Sequence, residues 1–197
     1  SKPSKEQIIK QAFKFHSQAN ISEAVKCYQY CINQGFKDHR VFSNYGAILK
    51  DRGKLQEAEL STRKAIEIKP DYTEAHLNLG NILKDRGKLQ EAEFSTRKAI
   101  EIKPDFAEAH SNLGVLLNDL GKFQEAESSY RKAIEIKSNY ADVHYNLGVL
   151  LNDLGKLQEA ELSLRKAIEL NPDYATAHTR LGNVLSDLGK LQDAELS

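Results

Sequence analysis

The sequence repeats itself every 34 residues, and this period constrains the fold more than any other feature. The stretch ILKDRGKLQEAE at 48–59 returns unchanged at 82–93, and looser copies begin at 116, 150 and 184. A fixed period of this length is typical of repeat architectures, in which each copy buries its apolar face against its neighbours. Aligning the copies gives six repeats: 5–38, 39–72, 73–106, 107–140, 141–174 and an incomplete 175–197.

Glycine and proline divide each repeat into two helical segments. Glycine at the fifteenth place of the second to sixth repeats is expected to end the first helix with a positive φ: Gly53, Gly87, Gly121, Gly155 and Gly189. Proline at the thirty-second place is expected to end the second helix: Pro70, Pro104 and Pro172. The place after it holds the predicted N-cap of the next helix: Asp71, Asp105, Asn139 and Asp173.

The spacing of apolar and small residues predicts how the two helices pack. In the third repeat, apolar residues recur at i, i+3, i+4 and i+7 over 72–86 and again over 89–103. Glycine at the eighth place and alanine at the twentieth and twenty-seventh would let the helices approach closely, near the short end of the usual ~8–10 Å separation. The sequence therefore predicts an all-α solenoid of stacked helix-turn-helix hairpins, forming one array over residues 1–197.

Charged residues on the second helix predict a further stabilising pattern. Glutamate and arginine stand four residues apart at Glu59–Arg63, Glu93–Arg97, Glu127–Arg131 and Glu161–Arg165. Each such pair adds about 0.2–0.5 kcal/mol to a helix.

Composition excludes several classes of function. Lys plus Arg equals Asp plus Glu at 28 each, so the chain lacks the basic excess of a nucleic-acid-binding protein. No run of 18 apolar residues is present, and the opening SKPSKEQIIK has no apolar signal core. We therefore predict a cytoplasmic protein that binds neither nucleic acid nor membrane. The absence of methionine, and a last repeat that stops at Ser197, favour a fragment of a longer chain.

These places carry a family resemblance. Leu-Gly at the seventh and eighth places, alanine at the twentieth and twenty-seventh, proline at the thirty-second and the 34-residue period resemble the tetratricopeptide repeat (TPR) over residues 5–197. The phrases AEAHSNLG and RKAIEIKPDF are most similar to the TPR arms of O-linked N-acetylglucosamine transferases and to bacterial multi-TPR proteins. The first repeat departs from the pattern, with Gln11 and Ala12 for Leu-Gly and Phe36 for proline. The resemblance implies a right-handed superhelix whose first helices line a concave groove that binds peptides or partner proteins.

Asparagine recurs on the first helices, at places that would face this groove. We define the asparagine row as these residues with the arginine that interrupts them: Asn44, Asn78, Asn81, Asn112, Asn118, Asn146, Asn152, Arg180 and Asn183. An amide can bond both N–H and C=O groups of an extended chain, so the row is the predicted peptide-binding site. At its sixth-place members it resembles the asparagine ladder of the glycosyltransferase arms. The alternative is a solvated helix surface that duplication has kept alike.

Other recurring residues are expected to be structural. Equivalent places in successive repeats stand at least ~8–10 Å apart, whereas zinc–nitrogen bonds are near 2 Å. The recurring histidines at the fourth place are therefore expected to pack rather than bind metal: His76, His110, His144 and His178. Cys27 and Cys31 are likewise expected to pack. A carboxylate clamp for chaperone tails is not favoured, because the fifth place lacks lysine.

The sequence predicts a non-catalytic scaffold for protein–protein interaction, without cofactor or metal, that binds extended peptide segments. It contains no nucleophile–base constellation and no glycine loop of the kind that cradles phosphate. Two alternatives stay open. The chain could be the substrate-presenting arm of a larger transferase. It could also associate end to end through an apolar stripe on the last repeat, formed by Leu181, Leu185, Leu191 and Ala194.

Overall fold

The computed structural model describes the backbone of residues 3–195 and the side chains of residues 3–189. Within residues 3–195 it contains eleven helices and no strand. The helices are α1 (Lys5–Ser17), α2 (Ile21–Asn33), α3 (His39–Asp51), α4 (Leu55–Ile68), α5 (Thr73–Asp85), α6 (Leu89–Ile102), α7 (Ala107–Asp119), α8 (Phe123–Ile136), α9 (Ala141–Asp153), α10 (Leu157–Leu170) and α11 (Ala175–Glu195). The first ten form five hairpins, one for each of the first five repeats, which confirms the predicted fold class.

The chain divides into two compact units, Ser1–Pro104 and Asp105–Ser197. In the first unit α1 packs on α2, α3 on α4 and α5 on α6, while α2–α3 and α4–α5 contacts join successive hairpins. In the second unit α7 packs on α8 and α9 on α10, and α8–α9 and α10–α11 contacts join the repeats. Each unit therefore has the stacked-hairpin order of a helical solenoid. That all six repeats form one array stays a prediction.

Glycine ends the first helix of four repeats as predicted. Gly53, Gly87, Gly121 and Gly155 have φ between 73° and 75°, a left-handed conformation that glycine adopts without steric cost. At the first of these turns the Lys54 N–H donates to the Leu49 carbonyl at 2.9 Å. This six-residue closure is the Schellman motif, and it satisfies a carbonyl that the helix end would otherwise leave unpaired.

The fifth glycine of this series does not end a helix, so the prediction of a hairpin in the last repeat was wrong. α11 runs without interruption from Ala175 to Glu195, and Gly189 lies inside it with no positive φ. A turn at Gly189 would break helical hydrogen bonds, and packing of a second helix must offset that loss. Among the described residues no further helix follows α11, so none packs against it to offset that loss.

The predicted N-caps were also wrong. α5, α7 and α9 begin one residue later than expected, after Tyr72, Phe106 and Tyr140, and none of these helices has a side-chain cap hydrogen bond. The aromatic side chains are half-buried at the turn. Burial of the ring places the aromatic residue at the cap position, which leaves the preceding acid or amide outside the first turn.

Small residues bring the two helices of a hairpin into direct contact, as predicted. The alanines at the twentieth and twenty-seventh places are fully buried in the second to fifth repeats: Ala58, Ala65, Ala92, Ala99, Ala126, Ala133, Ala160 and Ala167. An ideal Cβ on Gly114 would lie 2.5 Å from Cε1 of Tyr130, and one on Gly148 would lie 2.7 Å from Cγ of Leu164. The first helix thus packs its backbone against a large side chain of the second.

The recurring histidines have a more specific role than packing. Nε2 of His76 lies 2.7 Å from the Pro70 carbonyl oxygen, and Nε2 of His178 lies 2.8 Å from that of Pro172. His144 makes the same contact with the Ser138 carbonyl at 2.9 Å. The carbonyl needs a donor, so we assign the proton to Nε2. Each imidazole ties the start of a first helix to the turn that precedes it.

The predicted glutamate–arginine pairs form on the second helices, and further ion pairs join successive repeats. Arg131 contacts Glu127 at 2.9 Å within α8, and its Nη2 also donates to Oε2 of Glu159 in α10 at 2.6 Å. Nζ of Lys156 donates to Oε2 of Glu127 at 2.8 Å. These contacts link neighbouring hairpins of the second unit, because α8 and α10 belong to different repeats.

The carboxylate of Glu127 should give the stability of the second unit a pH dependence. Hydrogen bonds from Lys156 and Arg131 outweigh partial burial and lower the pKa of Glu127 from its ordinary value of 4.5. Because the folded pKa is lowered, the stabilisation is complete above about pH 4.5 and is lost as the pH falls through the folded value. Glu127→Gln should therefore lower the urea midpoint at pH 7 and flatten its decline below pH 4.5.

Glu169→Gln is the matched control for this titration. The Glu169 side chain is exposed and, among the described residues, pairs only with Lys166, so its loss should change the free energy of unfolding by less than about 1 kcal/mol. Circular dichroism at a series of pH values gives both midpoints. Equal acid sensitivity of Glu127→Gln and the unaltered chain would show that the carboxylate is not stabilised in the folded state.

Candidate functional site

The asparagine row lies on the first helices of the repeats, as predicted. Three members belong to the first unit, Asn44 on α3 with Asn78 and Asn81 on α5. The second unit holds the rest: Asn112 and Asn118 on α7, Asn146 and Asn152 on α9, and Arg180 and Asn183 on α11. Most of these side chains are half-buried, whereas Asn118, Arg180 and Asn183 are exposed.

Three members of the row meet at one cavity in the second unit. Asn152 from α9 and Arg180 and Asn183 from α11 line a space of about 320 Å³, which we call the Arg180 cavity. The rest of its lining is Val149, Leu164, Val184, Ser186 and Asp187. The structure therefore brings polar side chains of two successive repeats to a single opening.

The helical spacing explains why these side chains converge. α9 and α11 are the first helices of neighbouring repeats and contact each other. Arg180 and Asn183 stand at i and i+3 on α11, so they share one face of that helix. Leu164 and Val184 also line the cavity and are fully or almost fully buried, so this part of the lining is apolar.

The cavity carries charges of both signs at separate points. The guanidinium of Arg180 is a cation that offers only hydrogen-bond donors. Asp187 lies two helical turns further along α11, roughly 10 Å away by the helical rise of 1.5 Å per residue. The Arg180 end of the cavity thus suits an anion.

In the first unit the amides of Asn44 and Asn78 have protein partners. Nδ2 of Asn78 donates to Oγ of Ser43 at 3.1 Å, and Nδ2 of Asn44 donates to the Tyr28 hydroxyl at 3.4 Å. Burial raises the pKa of Tyr28 to about 12, against the opposing effect of Asn44, so this hydroxyl stays neutral at pH 7. Each bond orients an amide and leaves one N–H and Oδ1 for a ligand.

These supporting partners were not predicted from the sequence. Ser43 was not counted in the site, yet it lies directly before Asn44 and receives the bond from Asn78 of the next repeat. The available signal was serine at the fifth place, which recurs as Ser111. The apolar lining of the Arg180 cavity was also missed, because Val149, Leu164 and Val184 follow the ordinary core pattern.

Two tyrosine rings pack together in the second unit. The rings of Tyr145 and Tyr174 lie 5.0 Å apart, and both are half-buried. Burial and a hydrogen bond to Asp142 raise the pKa of Tyr174 to about 12, so the hydroxyl remains a donor at pH 7. The pair fixes the turn before α11 against α9, and so helps to hold the two helices that carry the cavity.

Two further kinds of feature do not occur in the residues that the structure describes. Over this part of the chain, no group of three or more histidine, cysteine or acidic side chains could hold a metal ion. In the same residues no helix is both long and apolar enough to cross a bilayer.

The stacked hairpins with glycine-ended first helices define an α-helical repeat protein. Family models described as tetratricopeptide repeat match residues 105–173 and 163–195, and one described as TPR repeat matches 46–87 and 80–121. Together the matches extend over residues 46–195. The chain belongs to the tetratricopeptide repeat family.

Solved structures share the fold at low sequence identity. MamA is 22% identical with a TM-score of 0.73, covering 84% of this chain and 96% of its own. YrrB, described as "a TPR protein with an unusual peptide-binding site", is 22% identical with a TM-score of 0.70 and coverages of 84% and 86%. TTC0263, a thermophilic TPR protein of Thermus thermophilus, is 18% identical with a TM-score of 0.72 and coverages of 92% and 99%. No curated protein sequence matches the chain significantly.

Proposed function

We propose that this protein is a non-catalytic interaction scaffold that binds extended segments of partner proteins through the asparagine row. The main support is the convergence of Asn152, Arg180 and Asn183 at an open cavity formed by two successive first helices. Membership of the TPR family supports a protein-binding role in general terms. The peptide-binding site named for YrrB adds a precedent within the same fold.

The chemistry of the row favours recognition of backbone rather than of side chains. An extended segment presents one N–H and one C=O per residue, at a rise of about 3.3 Å. An amide can donate to the carbonyl and accept from the N–H of such a segment. A row that repeats along the helices can thus hold a strand-like chain with little regard to its sequence.

The first experiment asks whether the row binds peptides. A phage-displayed library of random peptides, each about 16 residues long to span roughly 50 Å when extended, is selected on the intact chain. The enriched peptides are then titrated by fluorescence anisotropy. Substituting Asn78, Asn112 and Asn146 together with alanine should weaken binding about tenfold or more. Each lost hydrogen bond contributes about 0.5–1.5 kcal/mol, and about 1.4 kcal/mol corresponds to a factor of ten.

A matched variant tests whether the loss of any three amides, and not only of amides in the row, weakens peptide binding. Substitution of Gln90, Gln124 and Gln158 with alanine removes three amides from the second helices of the same repeats. This variant should bind the selected peptides as tightly as the unaltered chain. Equal affinity of the asparagine variant, with its helical circular dichroism intact, would rule out binding by the row.

The two alternative functions stay predictions. A transferase arm would be shown by a catalytic domain encoded beyond Ser197. End-to-end association would appear as a mass that rises with concentration in light scattering. Of the apolar stripe invoked for it, Leu185 is exposed, whereas the side chains of Leu191 and Ala194 lie outside the described residues.

A further inference from the structure

The asparagine row is interrupted at its sixth-place member on α11, where Arg180 replaces the asparagine found at that place in the four preceding repeats. We infer that the Arg180 cavity binds an acidic side chain, aspartate or glutamate, of the extended segment in the groove. This inference rests on the proposed function, and it adds a sequence preference at one point of an otherwise tolerant site.

The charge of Arg180 is not neutralised within the described part of the protein. Among the side chains of residues 3–189, no carboxylate forms an ion pair with its guanidinium, which is exposed. By contrast, Arg63, Arg131 and Arg165 on the second helices are each paired with glutamate. The guanidinium therefore has its full donor capacity for a carboxylate, which it can bind through two parallel hydrogen bonds.

The surroundings strengthen such a contact. Asn152 and Asn183 line the cavity with Arg180 and supply further N–H donors to a carboxylate. Val149, Leu164 and Val184 complete the lining with apolar surface, against which the CH₂ groups of an acidic side chain can pack. A volume of about 320 Å³ leaves room for a whole side chain together with bound water.

Arg180 sets the position of the acidic residue within the cavity. Arg180 and Asp187 line the same space about two helical turns apart, so a carboxylate bonded to the guanidinium lies at the Arg180 end.

The acid is expected inside the segment rather than at its end. The second and fifth places of the last repeat hold Thr176 and Thr179, and the second place of the fifth repeat holds Asp142. None of these places holds a second cation that could bind the carboxylate of a chain terminus. A side-chain carboxylate needs only the single guanidinium and its amide neighbours.

The test uses the peptides selected on the intact chain, synthesised with amidated C-termini. Replacing the shared acidic residue with glutamine should weaken binding to the unaltered protein about tenfold, as expected for a charge-assisted contact. Arg180→Asn restores the asparagine of the preceding repeats and is the matched variant. It should bind the glutamate and glutamine peptides equally, and Arg180→Glu should favour a lysine peptide over both.

The outcomes separate this inference from the proposed function. Peptides that require Asn78, Asn112 and Asn146 but tolerate glutamine for the acid would overturn the acidic preference and leave backbone binding intact. If binding requires a free C-terminal carboxylate, the cavity binds the end of the segment and not an internal acidic side chain. If replacing the acid with glutamine weakens binding to Arg180→Asn as much as binding to the unaltered protein, the acid contacts a residue other than Arg180. If no selected peptide depends on the row, both proposals fall.

Discussion

Replacing Leu164 with alanine should lower the free energy of unfolding by about 2–5 kcal/mol, the usual range for removing a buried leucine. Leu164 is 0% exposed and packs on the backbone of α9 at Gly148, where an added Cβ would lie 2.7 Å from its Cγ. Truncation leaves a cavity between two helices whose backbones already approach closely, and such helices have little freedom to close it. Urea denaturation followed by circular dichroism measures the loss.

Leu162→Ala is the control for this substitution. Leu162 lies two residues away on the same helix and is 68% exposed, so truncating it should change stability by less than about 0.5 kcal/mol. Both variants remove the same atoms from α10 and have the same effect on helix propensity. Similar losses for the two would mean that Leu164 is not in the tightly packed interior of the repeat.

Alanine should have opposite effects at two glycines that share the eighth place of their repeats. A Cβ on Gly114 would lie 2.5 Å from Cε1 of the buried Tyr130, so Gly114→Ala should overpack and cost about 1–3 kcal/mol. Gly182 has no atom within 4 Å of the corresponding position among the described residues. There, alanine should stabilise α11 by about 0.5–1 kcal/mol, because it loses less backbone entropy than glycine in a helix.

Because the two expected changes in stability have opposite signs, this pair of variants tests whether α7 and α8 are in close contact. Both substitutions add one methyl group within a helix, at positions without positive φ. Thermal or urea unfolding of the two variants should move the midpoint in opposite directions. Stabilisation by Gly114→Ala would show that Tyr130 has room to move away and that α7 and α8 are not in close contact.

Much of the fold follows from local chemistry that is visible in the sequence. Glycine with positive φ ends a helix wherever a second helix follows, as at Gly53 and Gly121, and this depends on a few backbone atoms. Glutamate and arginine four residues apart meet on a helix surface whatever surrounds them, as Glu127 and Arg131 do. The 34-residue period then repeats these local rules, so helix positions could be predicted to within one residue in the third repeat.

The candidate site could be predicted only in part, because a sequence gives the face of a helix but not the distance to its neighbour. The asparagine row was placed on the first helices from periodicity alone. The bond from Asn78 to Ser43 and the grouping of Asn152, Arg180 and Asn183 depend on how closely successive helices pack. Those separations are set by side chains far apart in sequence, such as Leu164 against Gly148.

The glycines at the fifteenth place show that packing, as well as local conformational preference, decides where a first helix ends. Gly155 and Gly189 stand at the same place of successive repeats, in nearly the same sequence, yet only Gly155 turns the chain. Glycine permits a positive φ at either position, because it has no Cβ. Whether the turn forms depends on the apolar area that a following helix buries, and that quantity exists only once the chain has folded.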